Sequence, residues 1–229
     1  MSKRVVVIVV GAMIVVGVMG VALGRQWGLE SKSTTSAKTT TTSSSVAQPQ
    51  TAIWPFASTV THFGDPVLAA KAFATDYLGF TSPLVGSFQQ GDSRSGEVPI
   101  KATPNGPVTT IIMRQLTSAN SWWVLGASCP GIMVMAPSAM ESIASPVLLK
   151  GRSTAYEAVV NVEVLQDETL TPLKSQTVMG GSLGKMGPFS KSVSFAPPSH
   201  RRGALLFRTY SAKDGHVVEA SVIRVAFLK

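Results

Sequence analysis

Beyond Ser145 the chain is written in a period of two. The runs Pro146 to Arg152, Tyr156 to Gln166, Thr171 to Val178, Phe189 to Ala196, Ala204 to Tyr210 and Val217 to Phe227 are parted by Gly, Pro and Asp. Successive strand side chains point to opposite faces, so alternating apolar and polar residues bury one face and wet the other. Val160-Asn161-Val162-Glu163-Val164 has that form, with valines toward a core and polar residues toward water. Ser190, Ser192 and Ser194, alternating with Lys191, Val193 and Phe195, repeat it. Asp214-Gly215, within Ala212 to His216, suits the positive φ of a tight hairpin. Short strands at this spacing predict an immunoglobulin-like β-sandwich over 138–229.

The preceding residues mix two periods. Asp65 is an N-cap candidate and Pro66 falls at the first helical position, where its missing N–H costs little. Val67, Ala70, Phe73, Ala74 and Tyr77 share one helical face, and Gly79 ends the predicted helix Asp65 to Leu78. Strand-like runs follow at Val98 to Ala102, Val108 to Leu116, Trp122 to Ala127 and Ile132 to Met135, with turn signals at Asn105-Gly106 and Ser118-Ala119-Asn120. The expectation over 60–137 is an α+β domain, one helix on an antiparallel meander.

Upstream, Val5 to Gly24 is a near-unbroken apolar run without a charge, and roughly 20 residues is what a helix needs to cross a bilayer. In lipid the backbone must satisfy itself internally, which overrides the modest helix propensity of these β-branched and Gly residues. Length favours an uncleaved signal anchor. The alternative is a cleaved signal peptide, whose apolar region is usually about 7–15 residues, with Ala22-Leu23-Gly24 as a passable cleavage site. No Cys lies near the end of the run, which excludes a lipoprotein anchor. Lys3 and Arg4 favour a cytoplasmic start, while Arg25, Lys32 and Lys38 weaken that bias. From Ser31 to Thr51 almost no residue is large and apolar enough to pack, so a disordered stalk is expected, of a composition often O-glycosylated in exported proteins. The expected layout is a cytoplasmic tail at 1–4, a transmembrane signal anchor at 5–24, a Ser/Thr-rich stalk at 25–59, and the two extracytoplasmic domains at 60–137 and 138–229.

The net charge is +8, and the folded part's excess lies after Glu141. A basic exported domain is drawn to anionic wall polymers or lipid headgroups, although solubility alone accounts for such charge. An exported location disfavours nucleic acid. Cys129 is the single cysteine, so no intrachain disulfide is available. Its apolar surroundings, SWWVLGASCPGIMVMAP, predict a buried inert thiol.

Several stretches carry a family resemblance: Ser145-Pro146-Val147, Lys150-Gly151-Arg152, Tyr156-Glu157-Ala158, Val160 to Leu165, Gly187-Pro188-Phe189-Ser190 and Tyr210-Ser211-Ala212-Lys213-Asp214-Gly215. In this order and spacing, roughly Met135 to Lys229 resembles Gmad2, the immunoglobulin-like domain of bacterial spore-germination and envelope proteins. Two places depart from it. Gln166-Asp167-Glu168-Thr169-Leu170 stands where the family commonly has a glycine-containing turn, and Ser199-His200-Arg201-Arg202 is unusually basic. The resemblance implies an extracytoplasmic, non-enzymatic module without an established ligand. The α+β part, through GDSRSGEV and SWWVLGA, is similar to a segment preceding this domain in exported actinobacterial proteins.

No catalytic constellation emerges. Gly180-Gly181-Ser182-Leu183-Gly184 matches G-x-S-x-G, but Lys185-Met186-Gly187-Pro188 forbids the helix a nucleophile elbow needs. His62, His200 and His216 have no second ligand at metal spacing, so neither a metal nor another cofactor is expected. Asp167-Glu168 and Asp92 with Glu97 read as solvated turn carboxylates. Of Trp122 and Trp123, one enters the core; the other is either exposed beside Arg114 for carbohydrate or partner contact, or buried too. Candidate binding residues are therefore Arg94, Glu97, Arg114, Trp122, Trp123, Arg201 and Arg202. The expected function is a non-catalytic, membrane-anchored envelope module engaging another envelope protein or an anionic wall polymer. A cupped α+β sheet binding a small ligand, with Asp92, Arg94 and Glu97 at its mouth, is the alternative, and a wall hydrolase is the third.

Overall fold

A computed structural model describes residues 49–117 and 119–228. The apolar run and most of the Ser/Thr tract lie outside them. Among the described residues no helix is long and apolar enough to cross a membrane.

Asp65 caps helix α1 (Pro66–Ala72): its carboxylate accepts from the N–H groups of Val67 and Leu68 at 2.7 and 3.0 Å. The helix passes into a π-helical turn, Phe73–Tyr77, and Gly79 takes φ 82° beyond it. Two short strands, β1 (Leu84–Val85) and β2 (Gln89–Gln90), lie along β3 (Ser95–Lys101). Strands β4 (Val108–Gln115) and β5 (Trp122–Ser128) complete the meander. Then come β6 (Ile132–Ala136), β7 (Ser142–Ile143), β8 (Val147–Ala155), β9 (Val159–Gln166) and β10 (Lys174–Met179). The last are β11 (Gly181–Ser182), β12 (Gly187–Val193), β13 (Arg202–Tyr210) and β14 (Val217–Phe227).

The larger sheet runs β1-β3-β4-β5-β14-β13-β9-β10, with β2 added on β3 and β7 on β14. The smaller runs β11-β8-β12, with β6 on β8. Among the described residues only β7 and β11 pair in parallel. The meander and the sandwich are thus joined edge to edge, through Ala127 opposite Val222 on β5 and β14.

The shared sheet explains the run Gly203-Ala204-Leu205-Leu206-Phe207, buried at every position. A strand covered on both faces reads as continuously apolar rather than alternating. Ala204 and Leu206 join Leu165, Ala220 and Val222 in a core with Phe73 and Leu78 of the helical side. Leu205 and Phe207 face the other way, with Val160, Val162, Val164 and Val225, against Leu149 and Phe189 of the smaller sheet. The valines of β9 therefore face the sandwich core as their alternation predicts. Their polar neighbours do not simply face water. Asn161 and Glu163 are half-buried, and Glu163 pairs with Arg208, which also donates to the Leu78 carbonyl at 3.4 Å.

Within the range expected as stalk, 25–59, the residues from Ala52 to Phe56 pack against the fold. Ala52, Ile53 and Trp54 are buried, because Ile53-Trp54-Pro55-Phe56 is apolar enough to pack. The Ile53 N–H donates to the Val124 carbonyl and the Val124 N–H to the Trp54 carbonyl, each at 2.8 Å. Asp167-Glu168, expected as solvated turn residues, clasp this segment. The Glu168 carboxylate accepts from the N–H groups of Ala57 and Ser58, each at 2.9 Å. Asp167 holds the guanidinium of Arg224 through both its oxygens, and Arg224 Nε donates to the Gln50 carbonyl at 3.1 Å.

Candidate functional site

The β13–β14 hairpin borders cavities on two sides. Gly215 at φ 72° closes the turn, and its N–H donates to the Ser211 carbonyl at 2.9 Å. On one side a cavity of about 380 Å³ lies between the hairpin, Phe80 to Ser82 and Ala102 to Thr103. Thr81 Oγ1 is 2.9 Å from His216 Nδ1 there. The Asp214 carboxyl is held below its ordinary value by hydrogen bonds from the Ser211 hydroxyl and the His216 N–H.

On the other side the hairpin meets the β8–β9 corner. Tyr156 leads that corner, which turns at Ala158 with φ 61°. Tyr210 ends β13 at an irregularity in its register with β14. The two tyrosines, 54 positions apart in sequence (210 − 156), jointly line cavities of about 550 and 200 Å³. A third, of about 370 Å³, continues past Tyr210 and Asn161 to Ser175, Gln176 and Thr177. All three have Tyr210 in their walls and make up a trough around that side chain.

Two features make the trough more than a surface dent. The Arg208 guanidinium sits 5.7 Å from the Tyr210 ring centroid and is itself fixed by Glu163 and the Leu78 carbonyl, so the ring rests on a rigid support. Glu219 lines the trough although it is only 5% exposed. Its Oε2 accepts from the Gly131 N–H at 3.2 Å, and among the described residues no cation lies within ion-pair distance of it. Burial raises its pKa, outweighing hydrogen bonds from Cys129 and Gly131. A β-carbon on Gly131 would fall 1.9 Å from Glu219 Oε1, so only glycine leaves room for this carboxylate.

The residues singled out by sequence fall elsewhere. Trp122 and Trp123 are both buried, at 8% and 0% exposure, so neither offers a ring to a partner. Trp122 packs edge-on against Phe88 at 4.9 Å, and Trp123 lies 6.1 Å from the His62 ring. Arg114, opposite Trp123 in register, is exposed and 3.6 Å from Asp92. Glu97 and Arg114 line a separate dish of about 440 Å³ on the outer face of β3 and β4, while Arg94 donates to the Thr117 carbonyl at 2.8 Å. The expected cup on the helix side of the meander is filled by Phe73, Ala74, Leu78, Val98, Ile100 and Ile111. Arg201 and Arg202 stand at the start of β13, about 25 Å from Tyr210 by strand rise.

Nothing in the trough assembles a nucleophile. Ser182 closes the two-residue β11, and the chain turns through Leu183 (φ 49°) and Gly184 (φ 77°) into β12 without a helix. The Cys129 thiol is buried, and burial pushes its pKa well up. Among the described residues no group of three or more His, Cys, Asp and Glu is placed to hold a metal ion.

Residues 131–216 match the family model Gmad2, the immunoglobulin-like domain of bacterial spore germination. The chain thus carries a Gmad2-type domain, which is a non-enzymatic domain type. No curated protein matches the chain, and no solved structure matches it.

Proposed function

We propose that the protein is a single-pass envelope protein that holds a non-catalytic binding module outside the cytoplasm. There the module engages another envelope protein or an anionic wall polymer. The observation that carries this is the Gmad2-type sandwich with a supported trough at one end. The apolar Val5–Gly24 run and the polar tract after it supply the anchor and tether. Among the described residues, buried packing begins at Ala52.

The test is fractionation of bacteria expressing the full-length chain, followed by protease treatment of intact cells. The chain should sediment with membranes and lose its folded part to external protease. Recovery in the soluble cytoplasmic fraction, or full protection from protease, refutes the placement. Hydrolytic turnover abolished by Ser182→Ala would refute the non-catalytic reading.

A further inference from the structure

We propose that the outer face of the smaller sheet docks on an anionic lipid surface, with Lys150 and Arg152 at the headgroups and Met133, Met135 and Leu148 entering among them. This face is distinct from the trough. The inference rests on the single-pass reading above, which keeps the folded part beside a bilayer.

Strand register builds the face. Burial alternates along β8 from Val147 to Ser153, so Leu148, Lys150 and Arg152 point away from the core. Arg152 has Met133 of β6 on one side and Pro188 of β12 on the other. Lys150 stands between Ala136 and Ser190, and Leu148 lies opposite Ser192. Met135 is the extra residue where the register shifts between Val134 and Ala136, as a β-bulge requires. Met133, Met135 and Leu148 are apolar yet 54%, 66% and 46% exposed. None of β6, β8 and β12 contains an acidic residue. Among the described residues neither Lys150 nor Arg152 has an ion-pair partner, and Arg152 Nη2 donates to the Met186 carbonyl at 3.3 Å. Lys191, the third cation of these strands, lies opposite buried Leu149 and donates to the Thr177 carbonyl at 3.0 Å, so it does not belong to this face.

The mixture of free cations and exposed apolar side chains decides the partner. A phosphodiester wall polymer would pair with Lys150 and Arg152 but leave Met133, Met135 and Leu148 in water. A second copy meeting this face about a twofold axis would set cations against cations. An acidic protein would satisfy both kinds of group, but the face is small for one. Three strands about 4.8 Å apart, over the five residues of β6 at about 3.4 Å each, cover about 250 Å², against about 800 Å² per partner in a standard interface. A bilayer asks for less, because the second contact of an anchored chain is intramolecular and a weak one suffices. Methionine is unbranched and adapts to an irregular surface such as a headgroup layer, and Lys and Arg are drawn to its negative potential.

The test reconstitutes the full-length chain into vesicles of equimolar phosphatidylcholine and phosphatidylglycerol, and of phosphatidylcholine alone. An NBD fluorophore is placed on Met135→Cys and, as a control, on Ser175→Cys in the exposed part of β10 on the other sheet. Cys129 is buried, and the unsubstituted chain serves as the labelling blank. Nitroxide-bearing lipids should quench the fluorophore at position 135 in the anionic vesicles, and leave it bright in the neutral ones and at position 175. Each cation strengthens such attraction about fivefold, so Lys150→Gln with Arg152→Gln should lower the ratio of docked to free about 25-fold and abolish the quenching. Urea midpoints of the variants confirm that the fold persists. Flotation with the vesicles reads the anchor separately. A chain that floats with neither vesicle refutes the single-pass reading and this proposal with it. A chain that floats but shows no quenching at position 135, or equal quenching in both lipids or after both substitutions, overturns this proposal alone. So does a fluorophore at position 135 that ignores lipid and responds to soluble teichoic acid, in favour of an anionic wall polymer.

Discussion

Replacing Asp167 with Ala tests the clasp that ties the start of the folded chain to the sandwich. Arg224 is 2% exposed and Asp167 16% exposed at their side chains, so the pair is essentially dry. The guanidinium donates to both Asp167 oxygens and to the carbonyls of Gln50 and Gly203. Removing the carboxylate leaves a buried cation with two carbonyl acceptors and no countercharge. Breaking a buried pair by deleting one partner costs about 3–5 kcal/mol. The surviving carbonyl contacts place the expected loss near the lower end, about 3 kcal/mol. For a folded unit of this size that is a fall of roughly 6–12 °C in Tm. Urea unfolding followed by tryptophan fluorescence reads it, with the m-value unchanged if the same surface is exposed. The double variant Asp167→Leu, Arg224→Met should recover most of the loss, because apolar residues of similar volume replace buried ion pairs well. A loss below about 1 kcal/mol, or a double variant no better than the single, refutes the reasoning.

Other expectations follow from the buried polar groups. Cys129 should resist a thiol reagent in the native protein and react at the rate of global unfolding; rapid labelling under native conditions contradicts the burial described for it. Glu219 has a raised folded pKa, so its contribution is fully present below the unfolded value, about 4.3, and is lost as pH rises through the folded value. Glu219→Gln should accordingly match the parent near pH 4 and exceed it near pH 7 in urea midpoint; the reverse order would count against the assignment. Glu168 has the opposite sign. Burial pushes its pKa up, but hydrogen bonds from Ser58 and Ala57 more than offset that and hold it low. Its stabilisation is therefore present above the unfolded value and lost as pH falls through the folded one, and Glu168→Gln should flatten the acid limb of the stability curve. Gly131→Ala should destabilise the fold by about 1–3 kcal/mol and be partly rescued by Glu219→Ala, measured as a double-mutant cycle.

The strand pattern was legible because burial on one face leaves a period of two. Val108 to Leu116 and Trp122 to Ala127 coincide with β4 and β5 to within a residue, and Val217 to Phe227 matches β14 at both ends. The helix start was legible from Asp65-Pro66, since a cap and an N1 proline act within one turn. The trough around Tyr210 was not legible in this way. Tyr156 and Tyr210 each look like an ordinary turn flank, and only the return of β13 beside β9 brings the second tyrosine near the first. Trp122 and Trp123 are both buried, the second of the two readings their pattern leaves open. Adjacent strand residues do point apart, but at this place both faces of the sheet are covered.

By itself the sequence determined what local physics can determine: the helix with its cap, the run of strands, the hairpin at Asp214-Gly215, the lone Cys and the absence of helical context after Ser182. Each depends on residues within a turn or two of one another. The tertiary structure decided what depends on distant partners. It joined β5 to β14 so that meander and sandwich share one sheet, which buried β13 on both faces. It drew Gln50 and Ser58 onto Arg224 and Glu168, making the family-atypical Asp167-Glu168 a clasp rather than a solvated turn. It also buried Glu219 against the Gly131 N–H, 88 residues away in sequence. Pairing free energy between groups a hundred or more residues apart leaves no periodicity to read, so only the fold reveals it.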